Sequence, residues 1–254
     1  MGNKYTFKRK EMKYLLNKEQ YLGFMERIKD MAEVDAYGQT SILNIYFDTP
    51  DYQLIRTSLE KPVYKEKLRL RSYGTPTDET NSFIEIKKKY KGIVYKRRIS
   101  APYKEAKDYL YEDVPLETPS QISAEIDYFK KSYPGLRPAM AISYDRIAMA
   151  GIEDPELRIT FDTNIRYRTN HLDLKYGNEG VDLLEKGQYL MELKIADAMD
   201  LKLVSILEEL DIRQVSFSKY GNGYETLLAE HLTAVKNKST ITPEFTVVLS
   251  PVLT

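Results

Sequence analysis

Charged residues in this chain recur at every second position, with apolar residues between them. In Lys67-Leu68-Arg69-Leu70-Arg71, an extended backbone sends Lys67, Arg69 and Arg71 to one face and Leu68 and Leu70 to the other. Glu85, Lys87 and Lys89 oppose Ile84 and Ile86 in the same way. Arg158 and Asp162 oppose Leu157, Ile159 and Phe161, and Glu192 and Lys194 oppose Met191, Leu193 and Ile195. Arg9, Glu11 and Lys13 share a face within Phe7–Tyr14. Such segments predict a sheet with one apolar face. Further strands are expected at Ser41–Phe47, Ile93–Ile99 and Met140–Ile147, with Lys91-Gly92 turning a hairpin between Phe83–Lys91 and Ile93–Ile99.

Helices are expected between the strands. Asn17 is placed to cap Lys18–Met31, and Ser120 or Ser123 to cap a helix reaching about Lys131, stopped by Pro134-Gly135. Leu201, Val204, Leu207 and Leu210 form a helical stripe within Met199–Leu210, opened by Asp197 or Asp200. A shorter helix, Tyr224–Ala234, is expected after Gly221-Asn222-Gly223, which reads as a turn. The chain shows no internal repeat and no linker. The reading is a single α+β domain over residues 1–235, with about eight strands and four or five helices, followed by a peripheral tail, 236–254.

An ordinary one-sided sheet turns its polar face to water. Here that face is made of Arg, Lys and Glu, and charge is segregated along the chain. The total balances, at 38 basic and 38 acidic residues. Yet residues 61–100 hold twelve basic against four acidic residues, while 102–136 hold seven acidic against four basic. The strands are therefore basic and the helices acidic. If the sheet curls into a barrel with helices on its apolar face, the charged face points inward. Unpaired cations in such an interior are costly, so a polyanion should sit there. Arg forks, Lys point charges and a few carboxylates suit a chain of phosphates with a divalent metal.

Other chemistries are excluded or unsupported. The absence of cysteine removes disulfides, thiolate zinc sites, iron–sulfur clusters and thiol catalysis. His171 and His231 cannot make a three-histidine site, and neither supports a catalytic triad. There is no G-x-x-x-x-G-K-[ST] loop and no G-x-G-x-x-G. No apolar run reaches about 18 residues, so no transmembrane helix is expected. Met1–Tyr5 lacks an apolar signal region, and a cytoplasmic location is expected.

The motifs together resemble the VTC domain, the polyphosphate-polymerase family of the triphosphate tunnel metalloenzyme (CYTH-like) superfamily. The resemblance rests on Arg9-Lys10-Glu11-Met12-Lys13-Tyr14, Asn44-Ile45-Tyr46-Phe47-Asp48-Thr49, Lys67–Arg71, Phe83–Lys87, Val94–Arg98, Ser143–Arg146, Leu157–Asp162, Met191–Lys194 and Phe217–Tyr220. It implies an eight-stranded antiparallel β-barrel tunnel with a basic lumen and helices packed outside. It also implies that Lys13, Arg69, Arg71, Lys87, Lys96, Arg146 and Arg158 are catalytic phosphate ligands. Tyr144 is expected to line their wall, Lys194 to add to it, and Ser218 and Lys219 to make a phosphate contact near one mouth. Glu192 matches the metal-binding carboxylate, for manganese or magnesium, with Glu11 and Glu85 as secondary metal or lysine-orienting candidates. The wider superfamily carries E-x-E-x-K on its first strand, whereas this chain reads R-x-E-x-K from Arg9 to Lys13.

The implied reaction is transfer of the ATP γ-phosphoryl group to inorganic polyphosphate, releasing ADP. The alternatives are a tunnel triphosphatase acting on tripolyphosphate or nucleoside triphosphates, and a polyphosphate-binding module without catalysis. A nucleic-acid duplex is too wide for such a tunnel. Oligomeric state is left open. Lys88, Lys89, Lys91, Arg97 and Arg98 are expected to be solvated or peripheral, since parity or position takes several of them off the ligand face. Asp48 and Asp162 are expected to cap turns beside strand ends.

Overall fold

The structure is a computed structural model, and it describes residues 10–196 and 198–239. Arg9, Asp197 and the tail from 240 onward lie outside the described residues. The elements run β1 (Lys10–Leu16), α1 (Lys18–Ile28), β2 (Ala32–Asp48), α2 (Gln53–Leu59), β3 (Tyr64–Tyr73), β4 (Asn81–Tyr90) and β5 (Ile93–Pro102). Then follow α3 (Tyr103–Tyr111), α4 (Gln121–Ser132), β6 (Arg137–Gly151), β7 (Arg158–Arg168), β8 (Val181–Asp182), β9 (Tyr189–Ile195), α5 (Leu201–Glu209), β10 (Gln214–Val215) and α6 (Lys219–Ser239).

Local chemistry accounts for most boundaries. Asn17 caps α1 through a capping box with Gln20, and Ser120 caps α4 through one with Ser123. Asp200 accepts from the Lys202 and Leu203 amides at the start of α5. The β4–β5 hairpin turns at Lys91 and Gly92, with φ of 47° and 84°. Positive φ at both central residues is what a two-residue turn needs to match the strand twist.

All strand pairings are antiparallel, in the order β10-β1-β9-β7-β6-β2-β3-β4-β5, with β8 beside β7. The expected closed eight-stranded barrel is thus corrected to a curled sheet of ten strands that hydrogen bonds do not close. The two extra strands, β8 and β10, are two-residue additions. β10 stops because the chain turns inward to start α6, and β5 pairs along one edge only. Two lysines instead hold the segment that follows β10. Lys13 Nζ on β1 donates to the Phe217 carbonyl (2.9 Å), and Lys67 Nζ on β3 donates to Ser218 Oγ (3.4 Å).

The apolar face of the sheet is covered in two places. Leu43, Ile45, Leu68, Leu70, Ile84 and Ile86 pack under α3 and α4 through Tyr103, Ala106, Ile126 and Phe129. Phe161, Ile159, Met191 and Leu193 pack under α1 and α5 through Phe24, Ile28, Leu203 and Ile206. Burial on this scale is the main drive for the fold.

α6 departs from the expectation that helices lie outside. Its Tyr220, Tyr224 and Leu227 pack on Ile142, Tyr144, Leu190, Ile165 and Tyr46, residues of the inward face, so the helix closes one end of the curled sheet. It also begins at Lys219, not Tyr224, and absorbs the Gly221-Asn222-Gly223 segment read as a turn. The reason is close approach: a Cβ on Gly223 would lie 2.7 Å from Met140 Sδ. The glycines let a helix press against the sheet where a side chain would hold it away.

Candidate phosphate-binding lumen

Two walls of the curled sheet face each other. One wall, from β1, β9, β7 and β6, presents Glu11, Lys13, Glu192, Lys194, Arg158, Asp162, Tyr144 and Arg146. The other, from β2 to β5, presents Tyr46, Lys67, Arg69, Arg71, Glu85, Lys87 and Lys96. Registers such as Lys13↔Glu192, Arg158↔Lys194, Arg69↔Glu85 and Lys87↔Lys96 set them side by side. The walls feel each other's charge, since Glu11 and Lys13 on β1 act on Lys87 on β4.

Glu192 anchors the first wall. Its carboxylate lies 3.2 Å from Lys219 Nζ, 3.5 Å from Lys13 Nζ, 3.8 Å from Arg146 Nη2 and 3.9 Å from Lys194 Nζ. Burial alone would raise its pKa, but these four cations hold it well below the usual carboxylate range. Asp162 is drawn into the same cluster. Arg146 binds it with two nitrogens at 2.6 and 2.7 Å, and Lys219 at 2.5 Å. The turn-capping role expected for Asp162 is therefore corrected, and its parity with Arg158 was the available signal. Asp48 does cap as expected: it accepts from the Thr49, Leu54 and Ile55 amides, and from Tyr220 OH at 2.7 Å, tying β2 to α2 and α6.

On the second wall Glu85, 2 % exposed, accepts from Arg69 Nε (2.7 Å) and pairs with Lys96 Nζ (2.5 Å). Burial is outweighed by Arg69, Arg71 and Lys96, which hold its carboxyl at about 2. Arg69 also donates to Tyr46 OH (3.0 Å), and Arg71 to Asn44 Oδ1 (2.8 Å) and Tyr144 OH (3.0 Å). The arginine forks are thus aimed and held by the protein itself.

Lys67 and Lys87 are less well paired than the other inward lysines. Lys67 has no carboxylate within ion-pair distance among the described residues, and burial plus Lys65, Lys87 and Lys13 press its pKa down to about 8. Burial also lowers Lys87, with Lys13 and Arg69 adding to it. Lys67 was absent from the sequence-based ligand set, although it shares a face with Arg69 and Arg71. Tyr46 is the other residue missed. Burial would raise its phenol, but Arg69, Lys67 and Arg71 hold it at about 8.

Ser218 and Lys219 stand at the start of α6. Ser218 Oγ accepts from the Gly221 amide (3.1 Å), capping the helix start, while the Lys219 ammonium reaches Asp162 and Glu192. Burial opposes charge on Lys219, yet Asp162 and Glu192 outweigh it and raise its pKa. Arg158 is exposed at the far, open end of the lumen. Lys88 and Arg97 point outward and both pair with Glu125 on α4, at 2.7 and 3.3 Å. Arg98 does not follow them: its register with Glu85 puts it on the inward face, contrary to its grouping with the peripheral cations.

A divalent cation can be tested against this set. Among the described residues no three carboxylates or histidines gather as a metal cluster. However, Glu11 and Glu192 flank the Lys13 ammonium at 3.6 and 3.5 Å, a cation position between two hard oxygen donors. Magnesium and manganese accept one or two carboxylates when phosphates complete the shell, so the donors fit. Glu85 fits poorly, because both of its oxygens are committed to Arg69 and Lys96. A separate cavity of about 310 Å³, lined by Asp145, Asn164, Tyr21 and Tyr189, lies on the opposite face of the sheet and gathers none of these cations.

The model of the VTC domain family matches residues 8–228, nearly the whole described chain. The chain belongs to the VTC domain family. In an alignment of 159 positions that covers 54 % of this chain, it is 28 % identical to vacuolar transporter chaperone complex subunit 4 of Schizosaccharomyces pombe, and spans about a fifth (21 %) of that relative's length. Among solved structures, a candidate adenylate cyclase from Bacillus halodurans superposes with a TM-score of 0.51 at 19 % identity, covering 82 % of this VTC domain and 92 % of that chain. A candidate adenylyl cyclase from Hippeastrum, described as having a dominant triphosphatase activity, gives 0.53 at 14 % identity, covering 85 % and 95 %. These likenesses show a shared fold. In this VTC domain no helix among the described residues is long and apolar enough to cross a membrane.

Proposed function

We propose that this VTC domain is an ATP–polyphosphate phosphotransferase, transferring the ATP γ-phosphoryl group to the end of an inorganic polyphosphate chain and releasing ADP. The observation that carries the reading is the state of the inward carboxylates. Asp162, Glu85 and Glu192 are each ringed by cations that lower their pKa. Carboxylates held so far below neutrality are poor general bases. An acceptor that must be deprotonated is badly served by them, whereas a phosphate terminus is already ionised.

The residues' tasks then follow from position. Arg69, Arg71 and Arg146, preorganised by Glu85, Asn44 and Asp162, clamp nonbridging oxygens and hold donor and acceptor in line. Lys67, Lys87, Lys13 and Lys96 supply positive charge along the chain. Lys219, Ser218 and the α6 N-terminus take a further phosphate at the closed end. Arg158 and Lys194 draw substrate in at the open end. Glu192 and Glu11 would hold magnesium or manganese, and the cation would supply neutralisation of the phosphate charge.

A second reading, triphosphate hydrolysis, is favoured by Glu11. Among the described residues it is the least encumbered of the inward carboxylates, with one ion pair, to Lys13 at 3.6 Å, and it could orient water. The purified protein, incubated with ATP and Mn²⁺, separates the readings. ADP with long polyphosphate on a gel is expected. ADP with equal free phosphate would establish hydrolysis instead, and saturable polyphosphate binding without turnover would establish a binding module. Glu192→Gln is expected to abolish turnover while retaining most anion binding, and unchanged activity would remove the metal assignment.

A further inference from the structure

We propose that Tyr73, Phe83 and Arg98 form a platform at the open mouth on which the base of a nucleoside triphosphate stacks. The inference rests on the phosphate-transfer reading of the lumen and adds the part of the substrate that the phosphate ligands do not explain.

The three strands of the second wall change character toward the same end of the wall. On β3 the inward face runs Lys67, Arg69, Arg71, Tyr73; on β4 it runs Lys87, Glu85, Phe83; on β5 it runs Lys96, Arg98. Arg71 pairs with Phe83 and Glu85 with Arg98, so Phe83 and Arg98 lie beside the last phosphate ligands, and Tyr73 stands two residues beyond Arg71. All of them are at the end opposite α6.

The groups also touch. The Tyr73 and Phe83 rings meet edge to face, centroids 5.7 Å apart at 83°, and Arg98 Cζ lies 4.8 Å from the Phe83 centroid. Tyr73 is 47 % exposed. Gly74, which follows the strand with φ +76°, has nothing within 4 Å of where a Cβ would be, so the backbone just past Tyr73 is uncrowded. Arg98 has no carboxylate partner among the described residues, because Glu85 is taken by Arg69 and Lys96. An open aromatic face beside an unpaired guanidinium is a stacking surface for a planar heteroaromatic ring. Two residues of strand put Tyr73 about 7 Å beyond Arg71, leaving room for a ribose between a base on the platform and a phosphate on Arg71. Stacking of this kind accepts any base, so adenine and guanine nucleotides should bind alike.

Calorimetry on the full chain tests this with three probes: ATP, ribose 5′-triphosphate and tripolyphosphate. ATP is expected to bind about tenfold more tightly than ribose 5′-triphosphate. Tyr73→Ala should erase most of that gap and leave tripolyphosphate affinity within about twofold, while Tyr73→Phe should keep the gap. Equal binding of ATP and ribose 5′-triphosphate by the unmodified protein, or a parallel loss for all three probes in Tyr73→Ala, would overturn the platform. Failure of the transferase reading looks different: the gap persists but ATP is not turned over.

Discussion

Lys67 shows how one residue's chemistry reaches the behaviour of the site. It is flanked by Lys65, Lys87 and Lys13, and its own hydrogen bond is a long one to Ser218. Burial and like charge lower its pKa to about 8, so part of its charge is missing at mildly alkaline pH. The protonated ammonium is the form that binds phosphate, and affinity should therefore fall as pH rises through about 8. A titration of tripolyphosphate affinity from pH 7 to 9 checks this. Lys67→Arg, which stays charged throughout, should make the decline shallower without removing it, because Tyr46 and Lys96 on the same wall also titrate at about 8; an identical profile in that variant would assign the decline to those two groups. Lys67 was legible by parity with Arg69 and Arg71, whereas its weak pairing was not, because that depends on which carboxylates other strands bring near. Asp162 makes the converse case. Alone it reads as a turn cap, and only the neighbouring β6 and the arriving α6 give it Arg146 and Lys219.

At the scale of elements, alternation and capping carried far. The strands with strict period two appear where expected, because a sheet with one apolar face tolerates no other register. Asn17, Ser120 and Asp200 cap as their chemistry dictates. α6 is the exception. Glycine lowers helix propensity, so Gly221-Asn222-Gly223 reads as a break, yet packing on Met140 and Ile142 overrides propensity once the helix is seated. Gly223→Val should push α6 off the fully buried Met140 and cost about 1–3 kcal/mol. Thermal unfolding of the variant checks the cost, and adding Met140→Ala should recover part of it. No recovery would show that the cost lies in the helix itself and not in its approach to the sheet.

At the scale of the whole molecule, charge is partitioned by sheet face. Lys87 and Lys88 are adjacent in sequence, but Lys87 faces the lumen and Lys88 pairs outside with Glu125 at 2.7 Å. Lys87→Gln should weaken tripolyphosphate binding about tenfold, the loss of roughly one charge-assisted hydrogen bond. Lys88→Gln should leave that affinity within about twofold, because alternation along the strand turns Lys88 away from the lumen. Binding isotherms for the two variants check the partition, and equal losses would contradict it.

The amino-acid sequence by itself determined the two-faced sheet and the starts of three of the six α-helices among the described residues. These follow from side-chain periodicity and local hydrogen bonding, which act within a few residues. Tertiary structure alone decided that the ring stays unclosed, that α6 plugs one end, and which cations remain without a partner. It also brought Tyr73, Phe83 and Arg98 together at the open mouth. Such outcomes depend on strand tilt, register and long-range approach, and alternation along one strand carries no record of what another strand will place opposite it.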